Sequence, residues 1–222
     1  MVKKAAVVIV CAGKGIRLGG RDKASLMLEG KPLFCKSIEA FDKFTQIKQI
    51  VLVLQKKNFS LAKRSIKNKK VLIVQGGRKR KDSVFCGLKA LNEDIEVVLI
   101  HDGARPFIDK KTISKVLKAL DTNVAAVCGV RASDTVKLLK GSFVGKTLKR
   151  EDIFLTYTPQ GFRKDLILKA YKKFGKRNLT DDSQFIELLG KKVKVIEEDS
   201  LNLKITYPKD LKLAKVISNE GL

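Results

Sequence analysis

The sequence predicts an α/β fold. It is read as one domain over residues 1–222, a mostly parallel sheet flanked by helices, with a β-hairpin arm projecting at about 131–150. Three observations predict it. Short β-branched apolar runs recur, each compact enough to be buried on both faces. Helical stretches separate them, the rhythm of βαβ units with right-handed crossovers. After Val130 that rhythm gives way to two strands around a Lys140-Gly141-Ser142 turn.

Taken in order, strands are expected at Ala5–Val10, Ile50–Leu54, Val71–Val74, Val97–Ile100 and Val124–Val127. Helices are expected between them at Pro32–Phe44, Phe59–Lys67, Asp82–Leu91 and Lys110–Leu120. Pro32 suits a helix start, where its missing N–H would be unpaired anyway. The hairpin is expected from Thr135–Leu139 and Phe143–Leu148. It carries few large apolar residues and would be marginal alone, so it should lean on its own domain or on a second subunit. Helices at Lys164–Phe174 and Asp181–Leu189, a strand at Lys194–Ile196 and a helix from about Pro208 to Ser218 complete the expectation. No Gly-, Pro- or Ser-rich linker and no internal repeat divides the 222 residues.

With 44% apolar and 32% charged residues, intrinsic disorder is excluded as the main state. The net charge of +24 favours anionic partners. Each successive fifty residues carries 10 to 12 Lys and Arg, so the charge is no basic tail or arm. With only 6% aromatic residues and no Trp, a solvated lysine-rich surface accounts for it better than a nucleic-acid stripe. No apolar run approaches the ~18 residues that would span a bilayer. The start, MVKKAAVVIV, imitates a short signal peptide but lacks an A-x-A cleavage site, and a buried first strand explains it. Cys11, Cys35, Cys86 and Cys128 form no C-x-x-C and the chain has a single His, which argues against a zinc cluster and favours free thiols in a reducing cytoplasm.

In open parallel sheets ligands bind beyond the carboxyl ends of the strands. The segments there are CAGKGIRLGGRDK after the first strand, QGGRKRKDS after the third and HDGARPF after the fourth. In the first, Gly13, Gly15, Gly19 and Gly20 let backbone N–H groups face anionic oxygens, and Arg17 and Lys23 add full charges, which suits a triphosphate. Leu18 breaks G-x-G-x-x-G, and no G-K-[ST] closes a P-loop. A P-loop imitation at Gly141–Thr147 is one residue short and lies in the hairpin. In the second, Gly76 and Gly77 permit a tight turn and Asp82 or Ser83 can cap the next helix, while Arg78 to Lys81 reads equally as a solvated basic turn. In the third, Asp102 ends a buried strand in a cationic site. It is a candidate ligand for Mg2+, which needs only one or two carboxylates where phosphates supply further oxygens; capping the next turn or pairing with Arg105 is the alternative. His101 reads as structural.

These segments, with DTVK at Asp134–Lys137, R-E-D and TPQGF between Arg150 and Phe162, TDDS at Thr180–Ser183 and N-L-K-I-T-Y-P-K-D-L at Asn202–Leu211, carry a resemblance over almost the whole chain. It resembles the 2-C-methyl-D-erythritol 4-phosphate cytidylyltransferases. The resemblance implies a Rossmann-like nucleotidyltransferase domain and a homodimer in which each arm reaches over its neighbour's site. The implied reaction joins CTP and methylerythritol 4-phosphate with release of pyrophosphate, using Mg2+ or another hard divalent cation. By matched position, it implies that Arg17, Lys23 and Lys204 are catalytic and that Asp102 holds the metal. Ala12, Gly13, Gly15, Gly76, Gly77 and Ser83 would bind the nucleotide. Thr135, Arg150, Thr158, Thr180, Arg105 and Lys204 would seat the polyol phosphate, Thr135 and Arg150 from the partner's arm. Neither nucleic acid nor membrane is implied as a partner.

The chain departs from that pattern at Asp22-Lys23-Ala24, where P-K-Q is usual, and at Cys11, where alanine is usual. Arg78 stands where an acidic residue is frequent, and Tyr157 precedes TPQ in place of glutamine. Other readings of the same sequence are a cytidylyltransferase for a pentitol or pentulose 5-phosphate, a sugar-1-phosphate nucleotidyltransferase, an inactive paralogue and a basic nucleic-acid-binding protein.

Overall fold

The computed structural model describes residues 3–13, 15, 18, 20, 22–198 and 201–220. In chain order the elements are β1 (Ala5–Val10), a small hairpin of β2 (Met27–Leu28) and β3 (Lys31–Pro32), α1 (Leu33–Asp42), β4 (Ile47–Leu54), α2 (Phe59–Ser65), β5 (Val71–Gln75), α3 (Arg80–Lys89), β6 (Val97–Asp102) and α4 (Lys110–Ala119). They continue as β7 (Ala125–Arg131), β8 (Lys137–Lys140), β9 (Phe143–Thr147), β10 (Phe154–Arg163), α5 (Lys164–Phe174), α6 (Ser183–Glu187), β11 (Lys194–Glu197) and α7 (Pro208–Glu220).

Seven strands form the central sheet in the order β11-β7-β10-β6-β1-β4-β5. Every pairing is parallel except those of β10, which runs antiparallel between β6 and β7. Strand alternation divides the apolar residues between two layers. Ala5, Val7 and Ile9 of β1, with Leu52 and Leu54 of β4 and Leu99 of β6, face a core shared with Phe34, Ile38 and Phe41 of α1 and Ile113 and Val116 of α4. Val8, Val51, Val53, Val98 and Ile100 face the other side, onto Val84 and Leu88 of α3, Ile167 and Tyr171 of α5 and Phe185 of α6. A strand between two helical layers has no polar face, which is why these segments read as continuous apolar runs.

A smaller cluster joins Leu26, Leu28 and Leu33 to Ile205 and Ala214. It packs α7 and the segment before it onto the β2–β3 hairpin and so brings residues near 23 and 204 into one region.

The arm is the separate two-stranded sheet β8–β9, turning at Gly141 with φ +61°. Leu138, Leu139 and Val144 are more than half exposed and Phe143 is 80% exposed, so the hairpin buries no core within this chain. The strands and long helices agree with the sequence expectation to within a few residues at their ends. Three of these strands were not expected. The hairpin β2–β3 places Pro32 in a strand, as the cap before α1 and not inside the helix. The long strand β10 contains Pro159, which breaks the apolar pattern; its pairing with β7 is interrupted between Thr156 and Gln160, where a residue without an N–H is tolerated.

Candidate active site

The carboxyl ends of β1, β4, β5 and β6 open at one edge of the sheet onto a cavity of about 800 Å³. Cys11, Ala12, Gly13, Gly15 and Lys23 line it from the loop after β1, and Gln55 from the end of β4. Gly76 to Arg80 and Ser83 line it from the turn after β5, Asp102 and Ala104 from the end of β6, and Lys204 from the segment before α7. The catalytic candidates Lys23 and Lys204, the metal candidate Asp102 and all six nucleotide-binding candidates therefore face one space. Arg17 lies outside the described residues.

Local hydrogen bonds shape the walls. Gln55 Nε2 donates to the Ala12 carbonyl at 2.8 Å, fixing the first loop against β4. Ser83 Oγ accepts from the Gly77 N–H at 3.1 Å, and Asp82 accepts from the Lys79 N–H at 3.0 Å, so both side chains that could cap the helix do hold its start. Gly76 has no room for a side chain: a Cβ there would collide with Ala12 Cβ and crowd Ser83 Oγ. The backbone of the turn thus comes against the first loop as only glycine allows.

The Lys23 turn is organised by the residue before it. Asp22 accepts from the Ala24 N–H at 3.1 Å and from Asn58 Nδ2 at 2.8 Å, and pairs with Lys57 Nζ at 2.9 Å. Burial alone would raise the Asp22 carboxyl, but these partners outweigh it and hold the group below the usual carboxylate range. Lys23 Nζ donates to the Ile205 carbonyl at 2.9 Å.

Asp102 Oδ1 pairs with Arg80 Nε at 2.9 Å and Oδ2 with Lys204 Nζ at 2.5 Å. Burial disfavours its charge, yet the two cations prevail and keep the carboxyl well below its ordinary range. Its partner is not Arg105, the alternative that sequence spacing suggested. Arg105 is buried beneath the loop, with Nη1 donating to the Asn202 carbonyl and the guanidinium 4.3 Å over the Tyr157 ring. It does not line the cavity.

Behind Asp102 runs a buried polar chain. Thr158 Oγ1 accepts from the Asp102 N–H at 3.0 Å and stands 3.3 Å from His101 Nδ1, while His101 Nε2 stands 3.1 Å from the Arg105 carbonyl. A carbonyl only accepts, so Nε2 carries the proton and Nδ1 accepts from the Thr158 hydroxyl. Burial pushes the imidazole down to about 4, and His101 is neutral and structural. The Thr158 hydroxyl is spent in this chain and is not presented to the cavity. Thr135, Arg150 and Thr180 are exposed and line no part of it. Arg150 Nη1 donates to the Ser133 carbonyl at the base of the arm, and Thr180 bonds Gln184.

Lys23, Arg78, Lys79, Arg80 and Lys204 face Asp102 as the one carboxylate among the described lining residues, leaving a cavity suited to a polyanion. A divalent cation fits this donor set through Asp102 together with phosphate oxygens. The carboxylate stays ionised at any ordinary pH, and no group of three His, Cys, Asp or Glu among the described residues could hold a metal by itself. The lining thiol, Cys11, is kept protonated, because burial pushes it far above its ordinary value. Arg80, Gln55 and the buried Asp182 were not singled out from the sequence. Arg80 lay inside a basic run, and the buried partner that distinguishes it from its neighbours is 102 positions further along.

Residues 5–220 match the family model described as 2-C-methyl-D-erythritol 4-phosphate cytidylyltransferase. A protein of that name from Dehalococcoides mccartyi is 41% identical over 224 residues, covering 99% of this chain and 98% of the relative. Another from Clostridium novyi is 39% identical, covering 97% of each. The fold superimposes on the crystal structure of a 4-diphosphocytidyl-2C-methyl-D-erythritol synthase from Anaerococcus prevotii with TM-score 0.89 at 30% identity, covering 98% of this chain and 96% of that one. A 2-C-methyl-D-erythritol 4-phosphate cytidylyltransferase from Thermus thermophilus gives TM-score 0.82 at 30% identity, covering 96% and 98%.

Proposed function

The chain belongs to the 2-C-methyl-D-erythritol 4-phosphate cytidylyltransferase family, and from that premise we propose how its cavity carries out the reaction. The enzyme is a nucleotidyltransferase that joins CTP and methylerythritol 4-phosphate, giving the cytidine diphosphate derivative and pyrophosphate in non-mevalonate isoprenoid biosynthesis. The observation that carries the residue assignments is the convergence of Lys23, Lys204 and Asp102 on one cationic cavity at the carboxyl edge of the sheet.

An oxygen of the polyol phosphate attacks the α-phosphorus of CTP in line. The new bond is P–O to the polyol phosphate, the bond to the β-phosphate breaks, and pyrophosphate leaves with its electron pair. Both reactants are anions, so the residues position them and stabilise charge as it develops. The cavity offers no activated protein nucleophile among the described residues, since Cys11 is held as a thiol and His101 lies outside the lining. Ala12, Gly13, Gly15, Gly76, Gly77 and Ser83 form the nucleotide cradle. Lys23 and Arg17 grip the triphosphate, and Lys204 bears on the entering phosphate. Asp102 would hold Mg2+ or another hard divalent cation, which neutralises phosphate charge when bound.

Arg150, Thr135 and Thr180 then seat the polyol. Leu139 and Phe143 stay 63% and 80% exposed within one chain, which supports a homodimer in which the arm serves its neighbour's site. Thr158 acts from behind by holding the Asp102 main chain. None of the described helices is long and apolar enough to cross a membrane.

Pyrophosphate release tests the reading, with CTP against the other triphosphates and methylerythritol 4-phosphate against ribitol 5-phosphate. Release is expected with CTP and methylerythritol phosphate alone. Preferential release with ribitol phosphate would replace the proposed polyol, and silence with every pair would make the chain an inactive relative.

A further inference from the structure

We propose that Arg80 is a positioning residue for this reaction: anchored on the buried Asp182, it fixes one carboxylate oxygen of Asp102 and leaves only the other to ligands in the cavity. The identity of those ligands rests on the functional reading above; the strut itself rests on geometry.

One planar guanidinium touches two carboxylates. Arg80 Nε donates to Asp102 Oδ1 at 2.9 Å, and Nη1 lies 2.8 Å from Asp182 Oδ2. The Asp182 contact is an ion pair by distance and leaves Oδ2 without a hydrogen bond, so charge holds this end of the fork, and turning away from Asp102 would still separate Arg80 from Asp182. The anchor cannot follow it. Asp182 is 1% exposed and accepts from the Tyr171 hydroxyl at 2.6 Å. The Tyr171 ring is itself stacked between Phe85 and Phe185, with centroids 5.7 and 3.9 Å away. The strut thus runs from the α3–α5–α6 core to the cavity wall.

The second cation on Asp102 is different in kind. Lys204 carries a point charge on a flexible stem and its side chain is 36% exposed, so it can leave Oδ2 when an anionic ligand offers it a better partner. Arg80 stays. The asymmetry leaves Asp102 a single available oxygen, Oδ2, in a fixed direction. Asp182 also neutralises Arg80 from behind, so the strut adds rigidity with little further charge.

The test compares Arg80→Lys, Asp182→Asn, their double variant and the milder Tyr171→Phe with the wild-type chain. Nitrogen NMR of the Arg80 Nε–H reads the strut without any substrate. Steady-state pyrophosphate release with Mg2+, CTP and methylerythritol 4-phosphate reads its consequence. The Nε–H signal is expected sharp and slowly exchanging in wild type and broadened in Asp182→Asn. Both single variants should lose about 10- to 100-fold in kcat, as supporting contacts around a ligand-bearing group typically do, with KM for the polyol phosphate little changed. Tyr171→Phe should lose less, and the double variant should be no slower than the slower single one.

A fast-exchanging Nε–H in wild type overturns the strut. So do wild-type kcat in Asp182→Asn despite a lost signal, losses that multiply in the double variant, or losses that only follow the folded fraction measured by thermal melting. If wild type releases no pyrophosphate, the functional reading fails while the NMR comparison still decides the strut.

Discussion

Lys23 Nζ donates to the main-chain oxygen of Ile205 at 2.9 Å, across 182 residues of sequence. Ile205 N–H in turn donates to the Ala104 carbonyl, and the preceding Lys204 pairs with Asp102. The loop after β1, the end of β6 and the segment before α7 are therefore tied together at the cavity by two lysines that also face its interior.

Lys23→Ala removes a charge proposed to bear on the triphosphate. It should lower kcat by roughly 10²–10³, the scale of losing one donor aimed at transition-state charge. The fold, read by circular dichroism, should survive, because the Ile205 carbonyl that Lys23 leaves lies at the cavity edge, within reach of water.

Asp22→Asn tests why Asp22 precedes this lysine. The folded-state pKa of Asp22 is lowered, so its stabilisation is present above the unfolded value near pH 4 and is lost as pH falls through the folded value. The thermal midpoint of wild type should fall more steeply below about pH 4 than that of the variant. At neutral pH the variant should be less stable by about 0.2–1 kcal/mol, since Asn still caps the turn and only the half-exposed ion pair with Lys57 is lost, and slower because Lys23 is less well held.

Gly76→Ala should raise KM for CTP at least about tenfold, since a single misplaced contact of 1.4 kcal/mol is worth that factor. The added methyl collides with Ala12 and crowds Ser83 at the nucleotide cradle. Calorimetric titration with CTP should show the same loss.

Arg150→Ala and Lys23→Ala should each be inactive or nearly so alone, yet regain activity when mixed if arms serve neighbouring sites. Mixed dimers verified by native mass spectrometry with no rescue would assign Arg150 to its own subunit's site.

Much of the fold was legible because βαβ units write themselves as compact apolar runs between helices. Residues such as Val7 and Val8 are both buried, one in each layer, so β1 carries no polar residue to blur it. β10 was not legible, because Pro159 falls in its middle and the polar residues Thr156, Thr158 and Gln160 interrupt its apolar ones. The cavity's position followed from the strand ends, and Lys23, Asp102 and Lys204 stand there. Arg80 could not be told from Arg78 or Lys79 by composition: what separates them is the buried pair with Asp182, a tertiary contact. The burial of Arg105 was equally hidden, since its motif neighbours Asp102 and Ala104 do line the cavity, and that of Thr158 because its partners Asp102 and His101 stand more than 50 positions away.

Phosphorus NMR of one reaction with oxygen-18 in the phosphate of methylerythritol 4-phosphate, plus CTP and Mg2+, tests direct transfer at this site most closely. The account predicts a two-phosphorus diester with the heavy oxygen in its bridge and unlabelled pyrophosphate beside it. No diester signal, or label appearing in the pyrophosphate, would contradict it.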